Sequence, residues 1–235
     1  MSTPHQQTAI ITGVGRAGQV GAAVASAFAE RGWRVVMLDR TGRNVTARAE
    51  ELRSAGHDAI PVACDLTDAA ALARVADELA PQLPTGAGAL INVAGGFAPS
   101  GPVGDSDPTV LQQQIALNLT TAYLATRAFL PLVRVGRGGI VYFASIAALP
   151  ERATPNLLAY AVAKGGVLTL MRTVAVEEAG HGVRANAVAP NTIRTADNVA
   201  QAGADARYVE LSTVTDAVVW LATQRGVTGQ VVRLG

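Results

Sequence analysis

The chain has almost no lysine: of its 19 Lys+Arg residues, all but Lys164 are arginine. It has one cysteine, Cys64, which excludes an internal disulfide and supplies no metal cluster. His5, His57 and His181 stand without ligand spacing, so no metal site is expected. Charge is scarce too, at 16% of residues and a net +1, with no basic or acidic block, which argues against nucleic acid as a partner. No apolar run reads as long enough to cross a membrane, and the opening MSTPHQQ lacks the basic-then-apolar order of a signal peptide. The expectation is a cytoplasmic protein with no membrane partner. Hydrophobic residues, by contrast, make up 49% of 235 positions, enough to bury the core of one α/β domain spanning 1–235. No repeat, linker or low-complexity tract divides it.

Lys164 closes the stretch Tyr160-Ala-Val-Ala-Lys164. On a helix, residues four apart share a face, one turn from each other. An ammonium beside a phenol favours the phenolate, which makes the tyrosine a usable proton donor and acceptor near neutral pH. Arginine is no substitute, because its planar fork and very high pKa suit fixed ion pairs better than proton chemistry. A chain that writes arginine everywhere else and lysine only here points to an acid–base site. The plain alternative is a surface lysine one turn from a packed tyrosine.

Residues 7–12 (QTAIIT) read as an apolar strand running into a glycine-rich turn, Gly13-Val-Gly15-Arg-Ala-Gly18-Gln-Val-Gly21, followed by the helical run AAVASAFAERG. Strand, glycines and helix in that order form a dinucleotide fingerprint. Glycine permits a tight turn and close approach of backbone N–H groups to a pyrophosphate, and the helix N-terminus adds partial positive charge. The second strand, 33–38, ends at Asp39, about 20 to 25 residues past the glycines, where a carboxylate accepts from an adenosine ribose or else caps the following turn. After a polar helix (44–54) and a third strand (58–64), Asp65 is placed to reach an adenine amino group or to cap the helix that starts near Asp68 and ends near Leu79.

A fourth strand, 88–93, ends in Asn92-Val-Ala94-Gly95, whose small residues let a cofactor lie against the strand end. The glycine- and proline-rich loop 96–108 lacks periodicity and is a candidate pocket border. A long helix over 109–133 carries Asn118 in its middle, where an asparagine competes for backbone hydrogen bonds; such a local conflict marks a functional position. The fifth strand, 138–144, delivers Ser145, and an irregular stretch, 146–155, leads into the helix of Tyr160 and Lys164, which continues to about Ala179. A sixth strand, 183–188, precedes Pro190-Asn-Thr-Ile193-Arg-Thr195 and a polar loop to about Tyr208. A last helix, 214–223, leads to a final short strand, 231–234. The alternation predicts an α/β fold: a single-domain, doubly wound parallel sheet (Rossmann fold) of about seven strands with helices on both faces.

These motifs resemble those of the short-chain dehydrogenase/reductase family over essentially the whole chain. The family's TGxxxGxG turn is matched by Thr12-Gly13 through Gly21, about two residues longer; its NNAG by Asn92-Val93-Ala94-Gly95; its proline–glycine after the sixth strand by Pro190-Asn191. Its catalytic tetrad falls on Asn118, Ser145, Tyr160 and Lys164. The resemblance implies that Tyr160 exchanges a proton with a substrate oxygen while hydride moves to or from a nicotinamide. Ser145 would orient that oxygen. Lys164 would hold the ribose hydroxyls and bias Tyr160 toward phenolate, and Asn118 would interrupt its helix enough to hold a water linking Lys164 to solvent. The implied cofactor set is Gly13, Gly15, Gly18, Gly21, Asp39, Asp65, Leu66, Asn92, Ala94, Gly95, Tyr160, Lys164 and Pro190, with Ile193 at the carboxamide and Thr195 at the nicotinamide end.

NAD(H) is expected over NADP(H), because Asp39 would repel a 2′-phosphate, although Arg16 or Arg40 could swing over one; NADP(H) stays possible. The substrate is expected to be a small carbonyl or alcohol between largely apolar walls (96–101, 146–158 and the loop after Pro190) that include Phe97, Leu149 and Leu157. Arg152 is either an anchor for an anionic group or a solvated loop residue. Two other readings are a catalytically silent regulatory protein that binds the cofactor and a chiefly structural oligomer. A homotetramer or homodimer is also expected, because 109–133 and 158–179 are apolar on more than one face, at Ala122, Leu124, Phe129, Val167, Leu168 and Leu170. Light scattering at micromolar concentration checks this, and a monodisperse monomer would contradict it.

Overall fold

In the computed structural model, which describes residues 6–203 and 205–235, the strands are β1 (Thr8–Thr12), β2 (Arg34–Asp39), β3 (Ala59–Ala63), β4 (Ala89–Asn92), β5 (Gly139–Phe143), β6 (Arg184–Pro190) and β7 (Val231–Leu234). They form one sheet in the order β3-β2-β1-β4-β5-β6-β7, every neighbouring pair parallel. The helices are α1 (Val20–Ala29), α2 (Gly42–Ser54), α3 (Ala69–Leu79), α4 (Pro108–Gln114), α5 (Thr121–Gly136), α6 (Leu158–Glu177), α7 (Ala196–Ala202) and α8 (Leu211–Thr223). Successive strand residues point to opposite faces, and both faces are covered. Ile10, Val36, Leu90 and Ile140 pack with Phe129 and Met171 on one side. Ile11, Val35, Ile91 and Val141 pack with Phe28 and Leu221 on the other. Each such side chain, fully buried, contributes about 1.5–3 kcal/mol, which is why these apolar runs settle in the middle of the sheet.

The connections wind one way from β1 to β3 and the other way from β4 onward, so the order reverses between β1 and β4. A crevice opens at the strand ends where the order of a parallel sheet reverses. Thr12 and Asn92 are register partners there. The Thr12 hydroxyl accepts from Ala94 N–H at 3.2 Å, and a Cβ on Gly13 would lie 2.7 Å from Ala94 Cα. Only glycine fits that approach, and Gly13 is also in the left-handed region at φ +74°.

Four readings of the sequence need correction. Gly21 is not in the turn but in the first turn of α1, where a Cβ would meet the Gly13 carbonyl at 2.1 Å. The polar loop after Thr195 contains α7, and α8 begins at Leu211, before the expected 214. The long helix is α4 and α5 joined by a π-helical segment, Ile115–Thr120, with Asn118 inside it. That wider turn is the local response to an asparagine whose side chain bonds elsewhere. Finally, α6 is by length and composition apolar enough to cross a membrane, contrary to expectation. Its Ala163, Val167, Leu168, Met171 and Val174 are buried with the sheet, the packing of a core helix.

The apolar surface of the two long helices also differs from the one read off the sequence. Ala122, Phe129, Val167 and Leu168 are buried in the core, and Leu124 and Leu170 are half-buried against it. What remains exposed on these elements is Leu117, Tyr123, Val135, Leu158, Val162 and Val176.

Candidate active site

The glycine turn leads into α1, whose first N–H groups carry no side-chain cap and whose first turn has no acidic residue. The turn, α1 and the ends of β2 and β4 bound a crevice of about 400 Å³ lined by Gly13, Gly21, Asp39, Arg40, Asp65, Leu66, Ala94 and Gly95. Asp39 divides its carboxylate. One oxygen accepts from Thr41 N–H at 2.8 Å, and the other lies 3.1 Å from where a Cβ on Gly15 would be. The capping reading of Asp39 is therefore seen directly in one oxygen, while the other stands over Gly15. Asp65 is not the helix cap; Asp68 is, accepting from Ala70 and Ala71 N–H. One Asp65 oxygen accepts from the N–H and hydroxyl of Thr67, and those bonds hold its pKa below the usual carboxylate value. Gly18, at φ +70°, has open space around its missing Cβ.

At the Gly95 end the crevice meets the residues expected from the sequence to form the acid–base site. A Cβ on Gly95 would lie 2.6 Å from Asn118 Oδ1 and 3.3 Å from Lys164 Nζ, so the strand end, the π-turn and α6 close on one point. Lys164 is buried and donates from Nζ to the Phe143 carbonyl at 2.7 Å. Its ammonium lies 5.8 Å from the Tyr160 ring centroid. Burial pushes the Lys164 pKa down from 10.5 to about 8. Burial also raises the Tyr160 phenol, and a hydrogen bond with Ser145 opposes that rise. In the protein alone the ammonium turns to a carbonyl, and burial moves the phenol's pKa upward. Ser145 is buried at the end of β5, and its Oγ accepts from Ala147 N–H at 3.2 Å.

Asn118 is buried, and its side chain is fully engaged within the protein. Its Nδ2 donates to the Gly96 carbonyl (2.9 Å) and to the backbone and side-chain oxygens of Gln114 (3.1 and 3.2 Å), while its Oδ1 accepts from Gly96 N–H (3.2 Å). The side chain therefore clamps the loop after β4 to the π-turn. Gln114, also buried, is a site residue that the sequence reading missed; its position one turn before Asn118 was the available signal. Asn92 donates to Thr126 at 3.3 Å and leaves its Oδ1 buried without a partner.

Pro190 ends β6. Ile193 bridges to Val209, and its carbonyl already accepts from Asn198 Nδ2 (2.8 Å) and Thr195 N–H (2.9 Å). Thr195 is buried and caps α7 by accepting from Asn198 N–H at 3.3 Å. Arg16 of the glycine turn forms an ion pair with Asp197 in the first turn of α7. No sequence pattern signals that pair, whose members are far apart in the chain. A second crevice of about 390 Å³, between α1 and α2, shares only Gly18 with the residues singled out above.

The donor set fits a dinucleotide: a glycine cradle that a Cβ would fill, uncapped helix N–H groups, and a carboxylate over the turn. A family model described as enoyl-(acyl carrier protein) reductase matches residues 13–234. The cis-4-hydroxycyclohexanecarboxylate dehydrogenase of Sinomonas cyclohexanicum is 36% identical over 187 residues, covering 79% of this chain and 72% of that protein. The carveol dehydrogenase of Mycobacterium avium, solved in complex with NAD, is 25% identical with a TM-score of 0.86, covering 97% of this chain and 95% of that one. A Beutenbergia cavernae protein assigned as an NAD(P)-dependent gluconate 5-dehydrogenase, with NADP bound at low occupancy, is 30% identical with a TM-score of 0.85, covering 97% and 94%. Because the match runs nearly end to end and the relatives are dehydrogenases, the chain belongs to the short-chain dehydrogenase/reductase family and is an NAD(P)-dependent oxidoreductase of alcohols and carbonyls.

Proposed function

We propose that Tyr160 is the acid–base residue of this oxidoreductase, that its substrate is a secondary alcohol or the matching carbonyl, and that NAD is preferred to NADP. The observation that carries the reading is the meeting of Ser145, Tyr160 and Lys164 beside Gly95, where the crevice ends. The pyrophosphate would lie against Gly13, Gly15, Gly18 and Gly21, the adenosine ribose against Asp39, and the adenine against Asp65 and Leu66. Asn92, Ala94 and Gly95 would line the middle, and Lys164, Pro190, Ile193 and Thr195 the nicotinamide end. The Ile193 carbonyl is already bonded, which leaves its N–H for that contact. When bound, the nicotinamide supplies or takes up the hydride.

The chain's own side chains handle the proton. In reduction Tyr160 donates to the substrate oxygen, and burial moves its pKa upward, in the direction of the donor form. Ser145 accepts from Ala147 N–H, and its hydroxyl, which faces Tyr160 in the protein alone, would turn its proton to orient the same oxygen. Lys164, with a pKa of about 8, gains and loses a proton near neutral pH, as no arginine does. Asn118 acts one step removed, by fixing Gly96 and the loop that starts there.

The NAD preference is supported by where the arginines are. Arg16 is held by Asp197, and Arg40 lines the crevice between two carboxylates, Asp39 and Asp65. A 2′-phosphate beside Asp39 would face repulsion on the order of 4 kcal/mol at about 4 Å in a near-surface dielectric, less after screening. Copies of the chain would pair through the exposed apolar positions of α5 and α6, among them Tyr123, Val162 and Val176, which the light-scattering measurement above tests.

NADH oxidation in the presence of a carbonyl panel tests the activity. Tyr160→Phe is expected to lower turnover at least about 100-fold while the NADH dissociation constant stays within about threefold; more than about a tenth of wild-type activity would rule the phenol out. For the cofactor, kcat/KM is expected to favour NAD in the wild type, and Asp39→Ala to move the ratio toward NADP by about tenfold or more. A wild type that prefers NADPH, or an unmoved ratio, would contradict the assignment.

A further inference from the structure

The loop after β4 stands directly against Tyr160. Phe97 meets the phenol edge-to-face, with ring centroids 5.1 Å apart and planes at 82°. The chain has four phenylalanines, and Phe28, Phe129 and Phe143 are buried at 0%, 0% and 7% exposure. Phe97 is 58% exposed, so one side of its ring is packed on the acid–base residue and the rest faces outward. A single exposed aromatic is unremarkable in itself. This one is held in place from both ends of its loop.

On one side Asn118 binds both the N–H and the carbonyl of Gly96. On the other, the Asn156 carbonyl accepts from Ser100 N–H (2.8 Å), Gly101 N–H (3.2 Å) and Ser100 Oγ (3.3 Å). Asn156 reaches that position in the left-handed region, at φ +64°, a conformation that asparagine tolerates better than most residues. Ser100 Oγ in turn accepts from Ala159 N–H at 3.4 Å, in the first turn of α6 and next to Tyr160. The wall is therefore tied to the same elements that carry the acid–base residues.

The chemistry of this wall is one-sided. Residues 96–101 read Gly-Phe-Ala-Pro-Ser-Gly, and the only polar side chain among them, Ser100, is already bonded to Asn156 and Ala159. A hydroxyl-rich chain laid against it would lose water without gaining a partner, whereas a flat apolar group would bury area on the Phe97 ring. We propose that Phe97 determines specificity, selecting secondary alcohols and ketones whose carbinol or carbonyl carbon belongs to or bears an apolar ring over open-chain polyols. This rests on the reading that Tyr160 is the acid–base residue, since that places the reacting oxygen beside the ring.

The test is binding to the NADH-saturated protein, where an alcohol cannot react. Cyclohexanol and xylitol are titrated into the wild type, Phe97→Ala and Phe97→Leu and followed by calorimetry. Cyclohexanol is expected to bind the wild type at least about tenfold tighter than xylitol. Phe97→Ala should weaken cyclohexanol about tenfold and xylitol less than threefold, and Phe97→Leu, still apolar, should stay within about threefold of wild type. Equal losses on both ligands, no loss on cyclohexanol, tighter binding of xylitol, or binding of neither would overturn the proposal. The same ligands are then offered with NAD. The expected binding pattern without hydride transfer would count against the acid–base reading and leave the role of Phe97 standing.

Discussion

The site depends on keeping one amine out of water. Moving an ammonium into an apolar interior is costly unless a partner compensates, and the charged form weakens in proportion. Lys164 is compensated by the Phe143 carbonyl at the end of β5 and responds with a pKa of about 8. That arrangement requires close backbone approaches around it. Gly95 leaves room for Lys164 and Asn118 at once, and a Cβ on Gly166 would lie 2.7 Å from a methyl of the Leu119 side chain, so glycine lets α6 approach the π-turn without displacing that leucine. The π-turn in turn directs Asn118 at Gly96. A buried amine, a widened helix and two glycines thus form one mutually dependent unit.

That unit stands at the end of a crevice built on a different principle. From Asp39 to Gly95 the lining is mostly backbone and small side chains, suited to a long polar ligand lying against strand ends. Past Gly95 stand the buried Lys164 and Ser145 and the half-buried Tyr160. The division follows the sheet, since the crevice opens where the strand order reverses between β1 and β4, and the proposed acid–base residues come from the end of β5 and from α6. The ion pair between Arg16 and Asp197 ties the glycine turn to α7.

Much of this was legible in the sequence, for identifiable reasons. Seven apolar runs separated by helical stretches give the sheet, because strands buried on both faces read as continuous hydrophobic segments. The Tyr160–Lys164 spacing and the uniqueness of the lysine mark one helical face. The conflict of an asparagine in mid-helix marks the π-turn. Other features resisted reading. The segment forming α7, ADNVAQA, has too little apolar periodicity to announce a helix that is held by a threonine cap and an ion pair. On α5 and α6, apolar residues occur all round, so the pattern does not say which face the sheet covers. Asp65 and Asp68 are equally good caps on paper, and only the backbone decides between them. Phe97 was readable as a wall residue but not as a neighbour of Tyr160, because that contact closes over more than sixty residues of chain.

The account's central claim is that Lys164 is desolvated in the folded protein before any cofactor arrives. Because the chain has no other lysine, protein made with lysine labelled by ¹⁵N at the side chain gives one Nζ resonance and needs no mutation. Titrating that resonance by NMR in the cofactor-free protein should give a pKa of about 8. A midpoint near the ordinary value of 10.5 would show an amine in contact with water and would contradict the account.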